Sequence, residues 1–201
     1  RVKVKKEAFV FLLCTVSMVA GNGRTWGAEM VAYCVDPGGS GDFSDLQSAL
    51  DAPAGSPLLF KVAQGTYTGN FAWSSNQTYS ITLQGGYTPG TGCATRVLDP
   101  SNTILDGAGA GIVLIIDYGE GSVTVEGFTI RNGSGGSGVG AGLIAYTVSS
   151  SGSAGNITVR NNIFTGNAAV QHGGGLHVYS DGETGSGTIT IMDNVLWENS
   201  A

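Results

Sequence analysis

Positive charge is scarce in this chain. Lysine and arginine together number 9 of 201 residues, against 15 acids. Five of the nine lie in residues 1–28, so the rest holds four cations and fourteen acids, a formal charge of −10. A body that acidic has little with which to neutralise phosphates, and nucleic-acid binding is not expected of it. Histidine is scarcer still, with only His172 and His177. A structural zinc site wants about four ligands, which two histidines do not supply. No two aspartates are adjacent, whereas glycoside hydrolysis needs two carboxylates held across a cleft. Beyond residue 20 no apolar run approaches the ~20 residues of a membrane-spanning helix, so no transmembrane helix is expected in the mature chain.

Glycine, by contrast, is abundant: 34 of 201 residues, where ordinary usage is about 7 %. It supports tight turns with positive φ. A collagen-like three-residue period is missing. The glycines alternate with Val, Ile and Thr runs, which argues against disorder.

The N-terminus reads as a secretory signal peptide over residues 1–28. Arg1, Lys3, Lys5 and Lys6 form its basic region, and Ala8 to Ala20 its 13-residue apolar region. Small residues at Ala20, Gly21, Gly27 and Ala28 put the cleavage point between 20 and 28. A buried strand or a short anchor is the alternative. Cys14 would leave with the leader. Cys34 and Cys93 remain, an even pair in an oxidising compartment, and are expected to form a disulfide. Two free, buried thiols are the other reading.

Residues 29–201 read as one domain. Its N-terminal cap spans 31–57: a strand VAYCV (31–35), a turn cluster DPGGSGD (36–42), then a helix over Ser44–Ala52. Ser44 and Gln47 have capping-box spacing. Leu46, Ala49 and Leu50 give the helix an apolar face, and Pro53 ends it. LLFKVAQGTYTGNF (58–71) reads as strand, Gly turn, strand, and 81–93 repeats that pattern. Strands follow at 103–107 and 112–119.

From residue 122 to 201 the chain repeats itself. VTVEGFTIRN (123–132), ITVRNNIFTGN (157–167) and ITIMDNVLWEN (189–199) align, with starts 34 and 32 residues apart. GAGLIAYTV (140–148) and GGGLHVYS (173–180) lie between them and match each other. A unit of three short strands cannot bury its apolar side alone, but stacked units can. The expected fold is therefore all-β: a right-handed single-stranded parallel β-helix, or solenoid, with a short N-terminal capping helix. A β-sandwich is the alternative, and it leaves the constant period unexplained. Stacking predicts ladders at Thr124–Thr158–Thr190 and Tyr146–Tyr179 outside and at Leu143–Leu176 inside, with Glu126 beside Arg160. Asn132, Asn167 and Asn199 are expected to recur at one turn. The last rung should expose an open edge, which suggests a coil truncated at its C-terminus.

These residues resemble the pectate-lyase-like right-handed β-helix superfamily. CVDPGGSGDFSDLQSALDAP and LLFKVAQGTYTGNF are similar to that superfamily's entry into the coil. The repeats resemble the polymorphic outer-membrane protein family, which pairs F-x-x-N with G-G-A-[ILV]. Phe164-Thr165-Gly166-Asn167 matches the first motif and Gly173-Gly174-Gly175-Leu176 nearly matches the second. The repeat ending at Asn132 departs, with Thr129 in place of Phe. LQGGYTPGTGC and RVLDPSNTILDG resemble exported β-helix proteins of Gram-negative bacteria.

The resemblance implies a cell-surface or secreted protein, outside a Gram-negative-type bacterium or on its outer membrane, serving as adhesin or structural stalk. Its partner would be a polysaccharide or a host or neighbour surface. The fold also carries polysaccharide lyases, so an enzyme of pectate-lyase type is the alternative, and passive glycan binding a third. No catalytic residue stands out. Asp117, Glu120 and Glu126 are the nearest approach to a Ca²⁺ set, though Ca²⁺ wants 6–8 oxygens. No cofactor is otherwise expected. Tyr146, His177 and Tyr179 form the candidate glycan-binding strip.

Overall fold

The computed structural model describes residues 30–52, 58–136 and 138–201. The expected leader and Pro53 lie outside those residues. In chain order the elements are β1 (Val31–Val35), α1 (Leu46–Leu50), β2 (Leu58–Ala63), β3 (Gly65–Thr68), β4 (Phe71–Ser75) and β5 (Ile81–Tyr87). They continue with β6 (Thr103–Asp106), β7 (Leu114–Tyr118), β8 (Val123–Glu126), β9 (Thr129–Arg131) and β10 (Leu143–Ser149). The last are β11 (Ile157–Arg160), β12 (Ile163–Thr165), β13 (Leu176–Gly182), β14 (Ile189–Met192) and β15 (Val195–Trp197).

Three parallel sheets result. Sheet A runs β1-β2-β5-β8-β11-β14, sheet B runs β3-β6-β9-β12-β15, and sheet C runs β4-β7-β10-β13. Past β2, each sheet takes every third strand, so the chain visits A, B and C in turn and climbs one rung per circuit. This is a parallel β-helix; crossovers between parallel strands are right-handed as a rule. The expected ladders are present: Thr124, Thr158 and Thr190 in register, Tyr146 opposite Tyr179, and Leu143 opposite Leu176.

Alternation explains the core. Odd positions of β8 and β11 point inward, and Val123, Val125, Ile157 and Val159 are buried. Sheet B contributes Tyr67, Leu105, Ile130 and Phe164, each on the next rung. Sheet C adds Trp73, stacked on Tyr118 with centroids 4.7 Å apart. A buried aliphatic side chain of this kind contributes about 1.5–3 kcal/mol. At the last rung, Ile189, Ile191, Leu196 and Trp197 are 41–53 % exposed, as expected of an open edge.

Helix α1 closes the other end with Leu46, Ala49 and Leu50 buried. Its cap differs from the expectation. Asp45, not Ser44, accepts from the Ser48 amide at 2.8 Å, and the helix spans only Leu46–Leu50. Gln47 does not reach back to a cap. Its amide clasps the Ala72 backbone, donating to the carbonyl and accepting from the N–H, both at 2.9 Å. Docking on β4 wins over capping because a carboxylate at 45 already serves the helix terminus.

Residues 81–93 also depart from the expected strand-turn-strand. After β5 comes an excursion, 88–102, at a corner that takes two residues in later coils (127–128, 161–162, 193–194). The Cys34–Cys93 disulfide ties it to β1. Asp36 holds it as well. Buried Asp36 accepts from the Ser40 hydroxyl, the Gly90 amide at 2.7 Å and the Gly38 amide at 2.8 Å. The Ser40 hydroxyl first, then the Gly90 and Gly38 amides, hold its pKa below the ordinary carboxylate value. A depressed folded pKa adds stability that is complete above the unfolded value of about 3.9 and is lost as pH falls through the lower folded value. The melting temperature should therefore stay level from neutral pH down to about 5 and fall below about 4. Asp36→Asn should shallow that acid limb; an unchanged limb would remove Asp36 from the account.

Candidate functional site

The outer face of sheet C gathers aromatic and polar side chains on neighbouring rungs. Alternation along β10 sends Leu143, Ala145 and Thr147 inward; of the alternate positions Val148 is exposed, Tyr146 half-buried and Ile144 covered. The parallel register then places His177 beside Ile144, Tyr179 beside Tyr146, and Asp181 beside Val148. Asp117 of β7 flanks Tyr146 on the other side. The predicted trio is thus brought together: Tyr146 meets His177 edge-on at 5.7 Å and Tyr179 at 6.4 Å.

The rings are not coplanar, however. Tyr146 and Tyr179 stand at 79° to one another, so the two rings do not form one continuous platform. Tyr179 donates to Asp181 at 3.0 Å and is 48 % exposed. That bond raises the Tyr179 pKa. Burial, with Asp117 nearby, raises that of Tyr146. Both therefore remain protonated donors at neutral pH. Aromatic faces pack on the C–H side of a sugar, and carboxylates accept from its hydroxyls. Sheet C supplies both on one surface.

The suggested calcium set does not assemble. Asp117 lies on sheet C, while Glu120 accepts from Ser149 at 2.7 Å in the turn beyond β7. Glu126 is on sheet A, 3 % exposed, between Arg96 and Arg160. Among the described residues no three acidic, His or Cys side chains converge on a common point. Alternation does aim Glu126 out of the coil, as expected, but the 88–102 excursion covers it. Arg96 reaches it at 2.7 Å, and Gln84 donates to the same carboxylate at 2.8 Å.

The asparagines divide differently from the expected single turn. Asn132 has φ 55° and shares its rung position with Gly166 and Glu198, which are also left-handed (63° and 52°). Asn167 and Asn199 follow one residue later and work through their side chains. Asn167 Oδ1 accepts from Gly133 at 2.9 Å, and its Nδ2 donates to Ile130 and to Asn199. A second such ladder, Asn162 over Asn194, sits at the sheet A–sheet B corner. Its recurrence five residues before the first is legible in NNIFTGN and DNVLWEN. Buried Asn162 bonds Phe128, Val125, Arg160 and Asn194. Asn162→Ala orphans several buried backbone groups and should cost about 2 kcal/mol in denaturant unfolding.

The motif glycines serve close approach. A Cβ at Gly174 would lie 2.0 Å from the Ser200 carbonyl. The close approach of the next coil requires glycine at position 174 of the G-G-x-L segment. Comparison with known proteins finds no matching family model, no similar curated protein and no similar solved structure.

Proposed function

We propose that the chain is the coil of an exported cell-surface or secreted β-helix repeat protein, an adhesin or structural stalk of a Gram-negative-type bacterium. The observation that carries this reading is the in-register stacking of like side chains on three sheets, held by the Asn162–Asn194 and Asn167–Asn199 ladders. Such a coil lengthens by repetition and presents the same outer rows over its length. The Cys34–Cys93 disulfide suits an oxidising compartment, and no helix among the described residues is long and apolar enough to cross a membrane. The motif resemblance favours the polymorphic outer-membrane protein type. The test is adhesion: beads carrying the purified chain should attach to cells or glycan-coated surfaces above beads carrying an unrelated acidic protein. Equal attachment would defeat the reading.

A second reading, passive glycan binding, is favoured by one observation, the convergence of Tyr146, His177 and Tyr179 on sheet C. Tyr146→Ala combined with Tyr179→Ala removes both rings from the surface. It should weaken binding to a neutral oligosaccharide at least tenfold, about 1.4 kcal/mol, with little change in melting temperature. Undiminished binding would clear sheet C of the role. The polysaccharide-lyase alternative predicts release of unsaturated sugar ends from uronates.

A further inference from the structure

The 88–102 excursion carries an edge of its own. Its arms form a short antiparallel hairpin: Thr88 donates to Thr95 at 2.9 Å and Val97 to Gly86 at 2.8 Å, with Tyr87 opposite Arg96. On the Tyr87 side the hairpin is closed, because the Tyr87 carbonyl accepts from the Gln64 amide at 2.7 Å. On the Arg96 side it is open. Successive residues of a strand turn their backbone groups to opposite edges. The arm that bonds inward at Thr95 and Val97 therefore faces outward at Ala94, Arg96 and Leu98. The Ala94 carbonyl, the N–H and carbonyl of Arg96 and the Leu98 N–H have no hydrogen-bond partner among the described residues. Outward groups two residues apart repeat every ~6.8 Å, which is the repeat of a second strand. Val97 and Leu98, 55 % and 52 % exposed, stand beside them as an apolar pair.

An open edge invites pairing, and charge decides with what. The described residues hold four cations against thirteen acids, and three of the four cations gather here. Arg96 and Lys61 each lie 5.7 Å from the centroid of the Tyr87 ring. Arg160 shares Glu126 with Arg96. Its Nε is bound, but its two terminal nitrogens have no partner among the described residues, and its side chain is 43 % exposed. The acids nearby are already engaged: Glu126 by both arginines, and Asp99 by the amide and hydroxyl of Ser101 at 2.9 and 2.7 Å. Pairing this edge with the same edge of a second copy would set two cation clusters face to face, which like charges oppose. An acidic strand is drawn in instead, and the free side of Arg160 is a planar fork suited to a carboxylate.

We infer that the 94–98 arm receives an extended acidic peptide segment of a partner protein, which adds to the hairpin as one more β-strand. Arg96 exchanges backbone hydrogen bonds with it, Val97 and Leu98 pack against its apolar side chains, and Arg160 pairs with a carboxylate. This stands apart from the adhesin and glycan readings above, since the ligand is a peptide and the contact is a backbone edge rather than a sheet face.

The experiment is fluorescence anisotropy of the whole chain with labelled probe peptides, one of alternating valine and glutamate and one of alternating valine and lysine. The glutamate peptide should bind about tenfold more tightly than the lysine peptide, and its binding should weaken with salt. It is then made with either alternate set of its backbone nitrogens methylated. One set faces the edge and should cost about tenfold when methylated, and the other far less, because only the first donates to the hairpin. Val97→Glu, at an exposed position, should cost about tenfold for the glutamate peptide and spare the lysine peptide. Should that variant fail to fold, the methylated peptides still test the edge on the wild-type protein. Equal loss from both methylated sets, equal affinity for the two charge types, or no peptide bound would each overturn the proposal. Dimerisation in sedimentation that the glutamate peptide does not reverse would do so too, and would give the edge to a second copy.

Discussion

Replacing Cys34 and Cys93 together by serine is expected to lower the unfolding free energy by about 4 kcal/mol. The bridge joins residues 59 apart in sequence, and releasing so long a loop restores much chain entropy to the unfolded state. The folded state would change less. Asp36 still holds Gly90, and Arg96 still holds Gly85 and Glu126. The effect should therefore appear mainly as lost stability, a melting temperature lower by roughly 10 °C, with the far-ultraviolet spectrum retained. Reduction of the wild-type protein should reproduce it. A loss below about 1 kcal/mol would mean that the unfolded chain is already compact around this loop, or that the bridge is strained.

Glu126→Ala is the second large effect, at about 3 kcal/mol. The carboxylate is 3 % exposed and receives two guanidinium groups and the Gln84 amide. Its removal leaves Arg96 partly buried against Tyr87, 5.7 Å from the ring centroid, without a counter-charge. Arg96 Nη2 already lacks a hydrogen-bond partner among the described residues, so the variant would add a second unpaired group in one guanidinium. Glu126→Gln should cost less, because the amide still accepts one bond. Arg160→Gln should cost less again, since the Arg160 side chain is 43 % exposed and solvent-screened ion pairs contribute little. Chemical denaturation of the three variants gives the order. If Arg160→Gln proves the most damaging, the network is organised around Arg160 rather than around the buried carboxylate.

Much of this was readable from residues. The 34- and 32-residue spacings in 122–201 specify rungs, and alternation in VTV, ITV and ITI separates core from surface without any knowledge of neighbours. The Thr and Tyr ladders and the Glu126–Arg160 pair follow from that register alone. The earlier coils were less legible because the 88–102 excursion interrupts the period at Tyr87, and its anchoring by Asp36 and Arg96 is long-range. The same excursion explains why Glu126, an outward residue by alternation, is buried. The turn asparagines misled for a local reason. Counting back from Asn aligns Asn132 with Asn167, but the backbone aligns Asn132 with Gly166, since both are left-handed. One residue of slip separates a conformational role from a ladder of side-chain hydrogen bonds. On sheet C the identities of the strip were legible; the 79° between its tyrosines was not, because ring orientation depends on packing across strands.

We propose that the coil binds at its outer faces and leaves what it binds intact. Immobilised polysaccharides, neutral and acidic, would be incubated with the purified chain. Retention of the protein and the appearance of unsaturated sugar ends would be followed together. Retention with no new ends, abolished by Tyr146→Ala combined with Tyr179→Ala on sheet C, is the predicted result. New unsaturated ends that accumulate with time would contradict it and make the coil a lyase.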